Sequence, residues 1–341
     1  MTSRPSKKPR RTVLRVLGRL LLGFVLLMML AWACAAIYWS TLPATLRPVA
    51  AGLFGLGSLA LLLLVKPRRR ALGWFLVAFA GIVLWWKLIP PSNERNWQPD
   101  VAVLPWATIA GDKVTLHNVR NCDYRTETDY TCHYYDKTYD LAKLTTVDLY
   151  LVYWGSPLIA HTMMSFGFDG QGYVCFSIET RKEKGEEYSA LKGFFRQYEL
   201  AYIMADERDV VRLRSNYRVG EDVYLFRLKA KPEVVRKVFL SYLREVNRLK
   251  EKPQWYNALT SNCTTSIRGH TAPYAQNNRL DWRIIVNGHL DELLYERGIV
   301  DRSLPLAELK QRSLINPKAR AADKDPKFSQ RIREGLPGIN K

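Results

Sequence analysis

The stretch HTMMSFGFDGQGYVCFSIET, residues 161–180, decides the fold that we expect for this chain. Two apolar runs, 161–168 and 173–180, flank the tetrapeptide DGQG at 169–172. Glycines in such a tetrapeptide adopt the positive φ values that a tight turn between antiparallel strands requires. The stretch therefore predicts a β-hairpin. With Gly170 at the centre of its turn, the numbers of facing residues sum to about 340.

That register places His161 opposite Glu179 on one face of the hairpin, with their Cβ atoms about 5 Å apart. A carboxylate in this position fixes the tautomer of the imidazole and stabilises its charged form. The inference depends on the register, because a slip of one residue would turn Glu179 to the other face. Two alternatives remain open: His161 as a hydrogen-bonded core residue, and Glu179 as the surface ion-pair partner of Arg181.

The stretch SNCTT, residues 261–265, opens a predicted helix and contains Cys263. If Ser261 or Asn262 caps this helix, the thiol lies in the first turn, where backbone N–H groups lower the pKa of a thiol. The same N–H groups, helped by the Asn262 side chain, can hold the oxyanion of an acyl-transfer reaction. The predicted catalytic residues are Cys263, His161, Glu179 and Asn262.

Cys175 is the competing nucleophile, because it shares the predicted face of Glu179. It lies four residues along the strand from Glu179, a distance of about 13 Å. Such a distance is too long for proton transfer with His161. We therefore expect Cys263 to be the nucleophile, with an unreactive cysteine as the alternative.

Residues 1–93 contain 13 Lys and Arg residues and no acidic residue. They include three apolar stretches, each close to the roughly 20 residues that cross a bilayer core: 13–39, 49–65 and 71–89. Most of the positive charge lies at the N-terminus and in the loop 66–70. The positive-inside bias therefore places both in the cytoplasm and the chain after residue 90 outside. We interpret residues 1–93 as a membrane anchor of about three transmembrane helices, with a cleaved signal peptide as the alternative for 1–39.

Residues 94–341 are predicted to form one extracytoplasmic domain, since 248 residues suffice for one well-packed core. Residue patterns predict further strands near 101–119 and at 145–154, 198–204 and 222–229, and helices at 232–253, from about 261, and at 281–297. The C-terminal tail after residue 312 is polar and is expected to be extended or partly ordered. The fold class is thus α+β: a mostly antiparallel sheet packed against helices, preceded by transmembrane helices.

The net charge of +19 is concentrated in the membrane anchor. Residues 94–341 carry 38 basic and 32 acidic residues, a net charge of only +6. We therefore attribute the basicity to membrane topology and expect no nucleic-acid partner.

Cys122 and Cys132 lie ten residues apart in a polar stretch of the exported region. A disulfide between them is predicted, because extracytoplasmic compartments are oxidising. Two alternatives remain open: free thiols, or a metal site completed by His117 and His133.

Seven runs of the chain resemble the N-terminal periplasmic domain of the lipoprotein N-acyltransferase (Lnb-type) family: 139–141, 148–155, 161–167, 179–183, 194–200, 256–265 and 328–338. The resemblance extends over most of the exported region. It implies a circularly permuted papain-like fold of the NlpC type, with catalytic roles for Cys263 and His161. The spans of this chain precede the domain, whereas in the acyltransferases of that family they follow it, so the acyl acceptor is left open.

The residues and the resemblance together predict a membrane-anchored thiol acyltransferase or acyl hydrolase. We expect it in the bacterial inner (cytoplasmic) membrane, with its catalytic domain facing the periplasm. The expected partners are the lipid bilayer and a lipid or lipoprotein substrate, and the thiol mechanism needs no cofactor and no metal. The alternatives are a cysteine peptidase or amidase that acts on cell-wall peptide, and a catalytically inactive domain that binds an envelope partner.

Overall fold

The computed structural model describes residues 8–275 and 279–339. The chain divides into two compact units: Met1–Pro90 with Phe195–Gln197, and Pro91–Phe194 with Tyr198–Lys341. The first unit contains three helices: α1 (Lys8–Tyr38), α2 (Leu46–Leu64) and α3 (Arg68–Leu88). Among the described residues, three stretches are helical, long and apolar enough to cross a membrane: Val13–Tyr38, Leu46–Leu64 and Arg68–Leu88. The three apolar stretches of the sequence thus correspond to three candidate spans.

The second unit is built on a sheet of eight strands. They are β1 (Trp106–Ala110), β2 (Lys113–Tyr124), β3 (Tyr130–Asp140), β4 (Leu144–Trp154), β5 (Ser156–Phe168), β6 (Gly172–Arg181), β7 (Glu199–Ala205) and β8 (Glu221–Arg227). The strand order is β1-β2-β7-β6-β5-β4-β8, and β3 pairs with β2. The pairing of β2 with β7 is parallel and the others are antiparallel. The predicted α+β fold with a mostly antiparallel sheet is confirmed.

Strands β5 and β6 form the predicted hairpin. Its register is confirmed, since Met163 faces Ser177 and the neighbouring pairs follow the same sum of residue numbers. The turn closes because Gly170 and Gly172 adopt φ values of 68° and 86°, which residues with a Cβ rarely reach. The hairpin therefore carries the face that holds His161 in the predicted orientation.

Seven α-helices accompany the sheet in the described part of the second unit. They are α4 (Glu207–Arg212), α5 (Pro232–Glu251), α6 (Cys263–Thr271), α7 (Leu290–Glu296), α8 (Leu306–Ser313), α9 (Asn316–Ala321) and α10 (Phe328–Arg331). Helix α5 confirms the helix predicted from Pro232. Its Phe239 and Tyr242 pack on Phe166 and Phe176 of the hairpin, with ring centroids 5.1 Å apart in each pair. This contact covers the hairpin face opposite to His161.

Strand β3 has no counterpart among the predicted strands. Most of its side chains are partly or fully exposed, so it lacks the alternation of apolar residues by which strands are recognised. Cys122 of β2 and Cys132 of β3 face each other and form a disulfide, as predicted. The disulfide excludes these two cysteines as metal ligands.

The segment after residue 312 is folded, which corrects the expectation of an extended or partly ordered tail. Phe328 and Ile332 are fully buried in an apolar cluster with residues of the sheet. Arg333 lies 2.8 Å from Asp148 of β4 and 2.6 Å from Glu207 of α4. Because its cation pairs with buried carboxylates, a segment of polar composition packs as part of the core.

Candidate active site

Cys263 is the first residue of α6, and the cap of this helix fixes its position. The side-chain oxygen of Asn262 accepts a hydrogen bond from the Thr265 N–H at 2.9 Å, and the Thr265 hydroxyl accepts one from the Asn262 N–H at 3.0 Å. The side-chain nitrogen of Asn262 donates to the carbonyl of Ala258 at 2.8 Å. The predicted cap is confirmed, but it engages both polar atoms of the side chain. Asn262 is thus the cap of the helix that begins with Cys263, and its expected role as a donor to an oxyanion stays a prediction, because the amide nitrogen carries a second N–H.

The half-buried thiol of Cys263 contacts the imidazole of His161 on β5. Its sulfur lies 3.9 Å from the Thr264 hydroxyl oxygen. Burial raises the pKa of the thiol, but the charge of the His161 imidazole and hydrogen bonding to His161 and Thr162 outweigh burial. They lower the pKa of Cys263 from 9.0 to about 6. The structure therefore brings the helix start and the strand histidine together and gives the thiol a low pKa.

Ser177 and Glu179 on β6 hold the imidazole from another side. His161 Nε2 lies 2.8 Å from Ser177 Oγ and 3.3 Å from Glu179 Oε1. The Ser177 hydroxyl donates to the same carboxylate oxygen at 2.5 Å. Burial and the charge of Arg214 lower the pKa of His161, whereas Glu179 and Cys263 raise it, and the net shift is upward. Ser177 lies on the face that the register predicts, and it links the histidine to the carboxylate.

Arg214 contacts Glu179 from a separate part of the chain. It lies in a π-helical turn, Leu213–Tyr217, that follows α4, and its Nη2 is 3.1 Å from Glu179 Oε1. Burial raises the pKa of Glu179, but His161 and Arg214 hold it well below its ordinary value of 4.5. Arg214 belongs to no recognisable motif, so sequence reasoning has no signal for its place in the site.

Asn287 ties β5 to α6. Its side-chain oxygen accepts a hydrogen bond from the Ala160 N–H at 2.8 Å. Its nitrogen donates to the Ala160 carbonyl and to the Thr264 hydroxyl, each at 2.5 Å. Because Ala160 precedes His161 and Thr264 follows Cys263, this one side chain holds the two halves of the site together.

The Asn287 contact explains why a continuous helix over 281–297 is wrong. Two 3₁₀ turns, Trp282–Ile284 and Asn287–His289, come first, and α7 begins only at Leu290. Gly288 lies so close to β5 that a Cβ would be 2.1 Å from a backbone carbonyl oxygen of that strand. The dipeptide Asn-Gly is itself a turn signal, and it is the feature of the sequence that indicates this interruption.

Cys175 lies elsewhere on the hairpin. It faces Ser165, four residues along β5 from His161, and it is fully buried. Burial raises the pKa of its thiol well above the ordinary value of 9.0. The structure thus gives Cys175 the properties of an inert core residue.

A cleft of about 490 Å³ runs beside α6 and is lined by residues that include Ser261, Ser266 and His270. Both ring nitrogens of His270 are engaged, one with the Tyr202 hydroxyl and one with the Ser241 hydroxyl, each at 2.9 Å. Neither the Cys263 thiol nor the His161 ring lines this cleft. His270 therefore has a structural role, and the reactive groups lie outside the cleft.

The sequence model of the Lnb N-terminal periplasmic domain matches residues 130–288. The matched segment runs from β3 to Gly288 and contains His161, Glu179 and Cys263. No curated protein and no solved structure matches the chain significantly. The periplasmic family and the three candidate spans indicate a membrane-anchored protein with a periplasmic domain. The resemblance to the Lnb-type family is confirmed: residues 130–288 of this chain match the Lnb N-terminal periplasmic domain.

Proposed function

We propose that the protein is a membrane-anchored thiol acyltransferase or acyl hydrolase that acts on acyl groups of lipids or lipoproteins. The observation that carries the proposal is the contact between the Cys263 thiol and His161, whose ring is held by Ser177 and Glu179. A thiol with a pKa of about 6 is mostly thiolate at neutral pH. A thiolate beside an imidazolium is the nucleophile and acid pair of thiol acyl transfer.

In the proposed reaction, the Cys263 thiolate attacks the carbonyl carbon of an ester or amide. The N–H groups of Cys263 and Thr264, at the first two positions of α6, have no acceptor within the helix and are available to the oxyanion. His161 gives its proton to the leaving group as the carbon–heteroatom bond breaks, which leaves a thioester. An amine, a hydroxyl or water then attacks the thioester, His161 accepts its proton, and the thiolate is released.

Exposed apolar side chains near the site support a lipid substrate. Leu158 and Ile159 precede His161 on β5 and are 52% and 53% exposed. Trp282 and Ile285 lie in the turns before α7 and are 58% and 57% exposed. The two groups are joined where Gly288 packs against the start of β5. Exposed apolar groups of this kind mark interaction surfaces, and a chain with three candidate spans works beside acyl chains.

The charge distribution supports the inner (cytoplasmic) membrane as the location. The loop between α2 and α3 contains Lys66, and the first turn of α3 contains Arg68, Arg69 and Arg70. Positive loops remain in the cytoplasm, so the domain after α3 faces the periplasm. Confinement to a bilayer surface raises the effective concentration of lipid or lipoprotein donors around the thiol.

The test uses full-length protein reconstituted with phospholipid or a diacylated lipoprotein whose acyl chains are isotopically labelled. We expect labelled acyl release or transfer, and a trapped acyl adduct on Cys263 by mass spectrometry. Cys263→Ala should lose both signals, and Cys175→Ser is the matched control that should keep them.

Three results would contradict the proposal. Full activity of Cys263→Ala would exclude a thiol mechanism. Cleavage of cell-wall peptide without acyl release would favour a peptidase or amidase. A Cys263 thiol that reacts with no donor and with no alkylating reagent would favour an inactive envelope-binding domain.

A further inference from the structure

A chain of alternating charges runs outward from the imidazole of His161. It continues through Glu179, Arg214, Glu221 and Arg218. Successive side chains approach within 3.3 Å, 3.1 Å, 3.4 Å and 3.2 Å, in that order. Arg214 is therefore held between two carboxylates, and Glu179 is the one that contacts the ring.

The position of Arg214 is unusual for a cation. Arg214 is only 7% exposed, and its backbone lies in the π-helical turn Leu213–Tyr217. Burying a guanidinium is costly unless it is paired. π-helical turns are rare and occur frequently at functional sites. The turn aims Arg214 at Glu179, whose carboxylate also accepts from Ser177.

The charges around the ring of His161 act in opposite directions. The thiolate of Cys263 and the carboxylate of Glu179 stabilise the imidazolium, whereas Arg214 opposes it. Tyr188 and Tyr256 also face the thiol and the carboxylate, but their pKa values are raised, so both are neutral near pH 7. Two anions without an opposing cation would hold the proton on the ring too firmly for release to a leaving group.

We propose that Arg214 is a positioning residue of the candidate active site: paired with Glu179, its charge keeps the His161 imidazolium acidic enough to protonate a leaving group. The part of this proposal that concerns a leaving group rests on the proposed function. The effect of Arg214 on the acidity of the His161 ring can be measured without a substrate. Arg214 acts through Glu179 and through its own charge, and it need not touch the reacting atoms.

The experiment is alkylation of Cys263 by iodoacetamide in the full-length reconstituted protein, from about pH 4 to about pH 10, with peptide mass spectrometry as the readout. A first inflection reports formation of the thiolate. A second reports loss of the imidazolium proton, because a thiolate of higher pKa is more nucleophilic. Arg214→Gln should raise the second inflection by about 1 pH unit. Arg214→Lys keeps the charge and should leave it near the wild-type value.

Arg218→Gln is the matched control, because it removes the next cation, which pairs with Glu221 and Glu127. It should leave both inflections unchanged. Glu221→Gln frees Arg214 from its second carboxylate and should lower the second inflection, so the proposal stays testable even if Arg214→Gln does not fold.

A second inflection that stays or falls in folded Arg214→Gln protein, judged by an unchanged thermal melt, would overturn the proposal. An unchanged second inflection in Glu221→Gln would also overturn it. If the expected shifts occur but the wild-type protein transfers no acyl group, the proposed function fails and the role of Arg214 in the acidity of His161 stands.

Discussion

Replacing His161 by alanine should return the Cys263 thiol to ordinary acidity. In the structure, burial raises the pKa of this thiol, and the imidazole is the largest influence that lowers it to about 6. Without the ring, burial remains, and the pKa should reach or exceed the ordinary value of 9.0. At pH 7 the thiolate fraction would fall from about 0.9 to about 0.01, roughly 90-fold.

The rate of alkylation at pH 7 should fall much less than the thiolate fraction. A thiolate of higher pKa is more nucleophilic, by about 20-fold for a rise of about three units in the pKa of the thiol and a Brønsted coefficient of about 0.45. The two effects together leave a decrease of about four-fold. The midpoint of the pH profile is therefore the decisive quantity, and it should move from about 6 to 9.0 or above.

The assay is labelling of the Cys263 peptide by iodoacetamide in reconstituted full-length protein, quantified by mass spectrometry so that Cys34 and Cys175 do not contribute. His117→Ala is the matched control, because that histidine lies on β2 and contacts Asp136. A midpoint near 6 in folded His161→Ala protein would show that the acidity of the thiol has another source, and it would refute the reasoning.

Three further predictions concern stability and topology. Asn287→Ala removes the hydrogen bonds that join β5 to α6, so it should lower the free energy of unfolding by about 2–3 kcal/mol in denaturant titrations and slow alkylation of the thiol. His289→Ala in the same turn should do neither, and equal effects of both changes would contradict the reasoning. The pKa of Glu179 is lowered in the folded protein, so its charge stabilises the fold above its unfolded pKa, and this stabilisation is lost as pH falls through the folded pKa. The melting temperature of Glu179→Gln should therefore differ most from wild type at neutral pH, and a difference that grows in acid would contradict this. A reporter fused after residue 100 should behave as exported and one in the loop 66–70 as cytoplasmic, whereas two reporters on one side would rule out three spans.

The hairpin and the helix cap could be predicted because their signals are local. The glycines of the turn fix the register of β5 and β6, and the register places Glu179 beside His161. Asn262 shows the limit of such reasoning, because an Asn before a helix predicts a cap but not that its side-chain nitrogen donates to the Ala258 carbonyl. Ser177 was predictable as a neighbour on the same face, and its bridging hydroxyl follows only from side-chain geometry.

The remaining parts of the site depend on contacts between distant segments. Arg214 reaches Glu179 only because a π-helical turn follows α4, and neither feature has a sequence pattern of its own. Asn287 looks like a residue of an amphipathic helix until its contact with Ala160 is known. The C-terminal segment has few apolar residues, and its burial depends on ion pairs whose partners lie far away in the sequence.

The burial of Arg333 has a consequence for how the protein is made and exported. Glu207 is fully buried, and Arg333 is the cation within reach of its carboxylate among the described residues. Ser165 of the hairpin donates to the same carboxylate at 2.6 Å, so this ion pair adjoins the strand that carries His161. The ribosome and the export machinery deliver Arg333 after all the residues of the candidate active site. The domain therefore completes its folding only after Arg333 has been translocated. A product truncated before Arg333 would remain anchored with an unfinished domain, open to the quality-control proteases of the envelope.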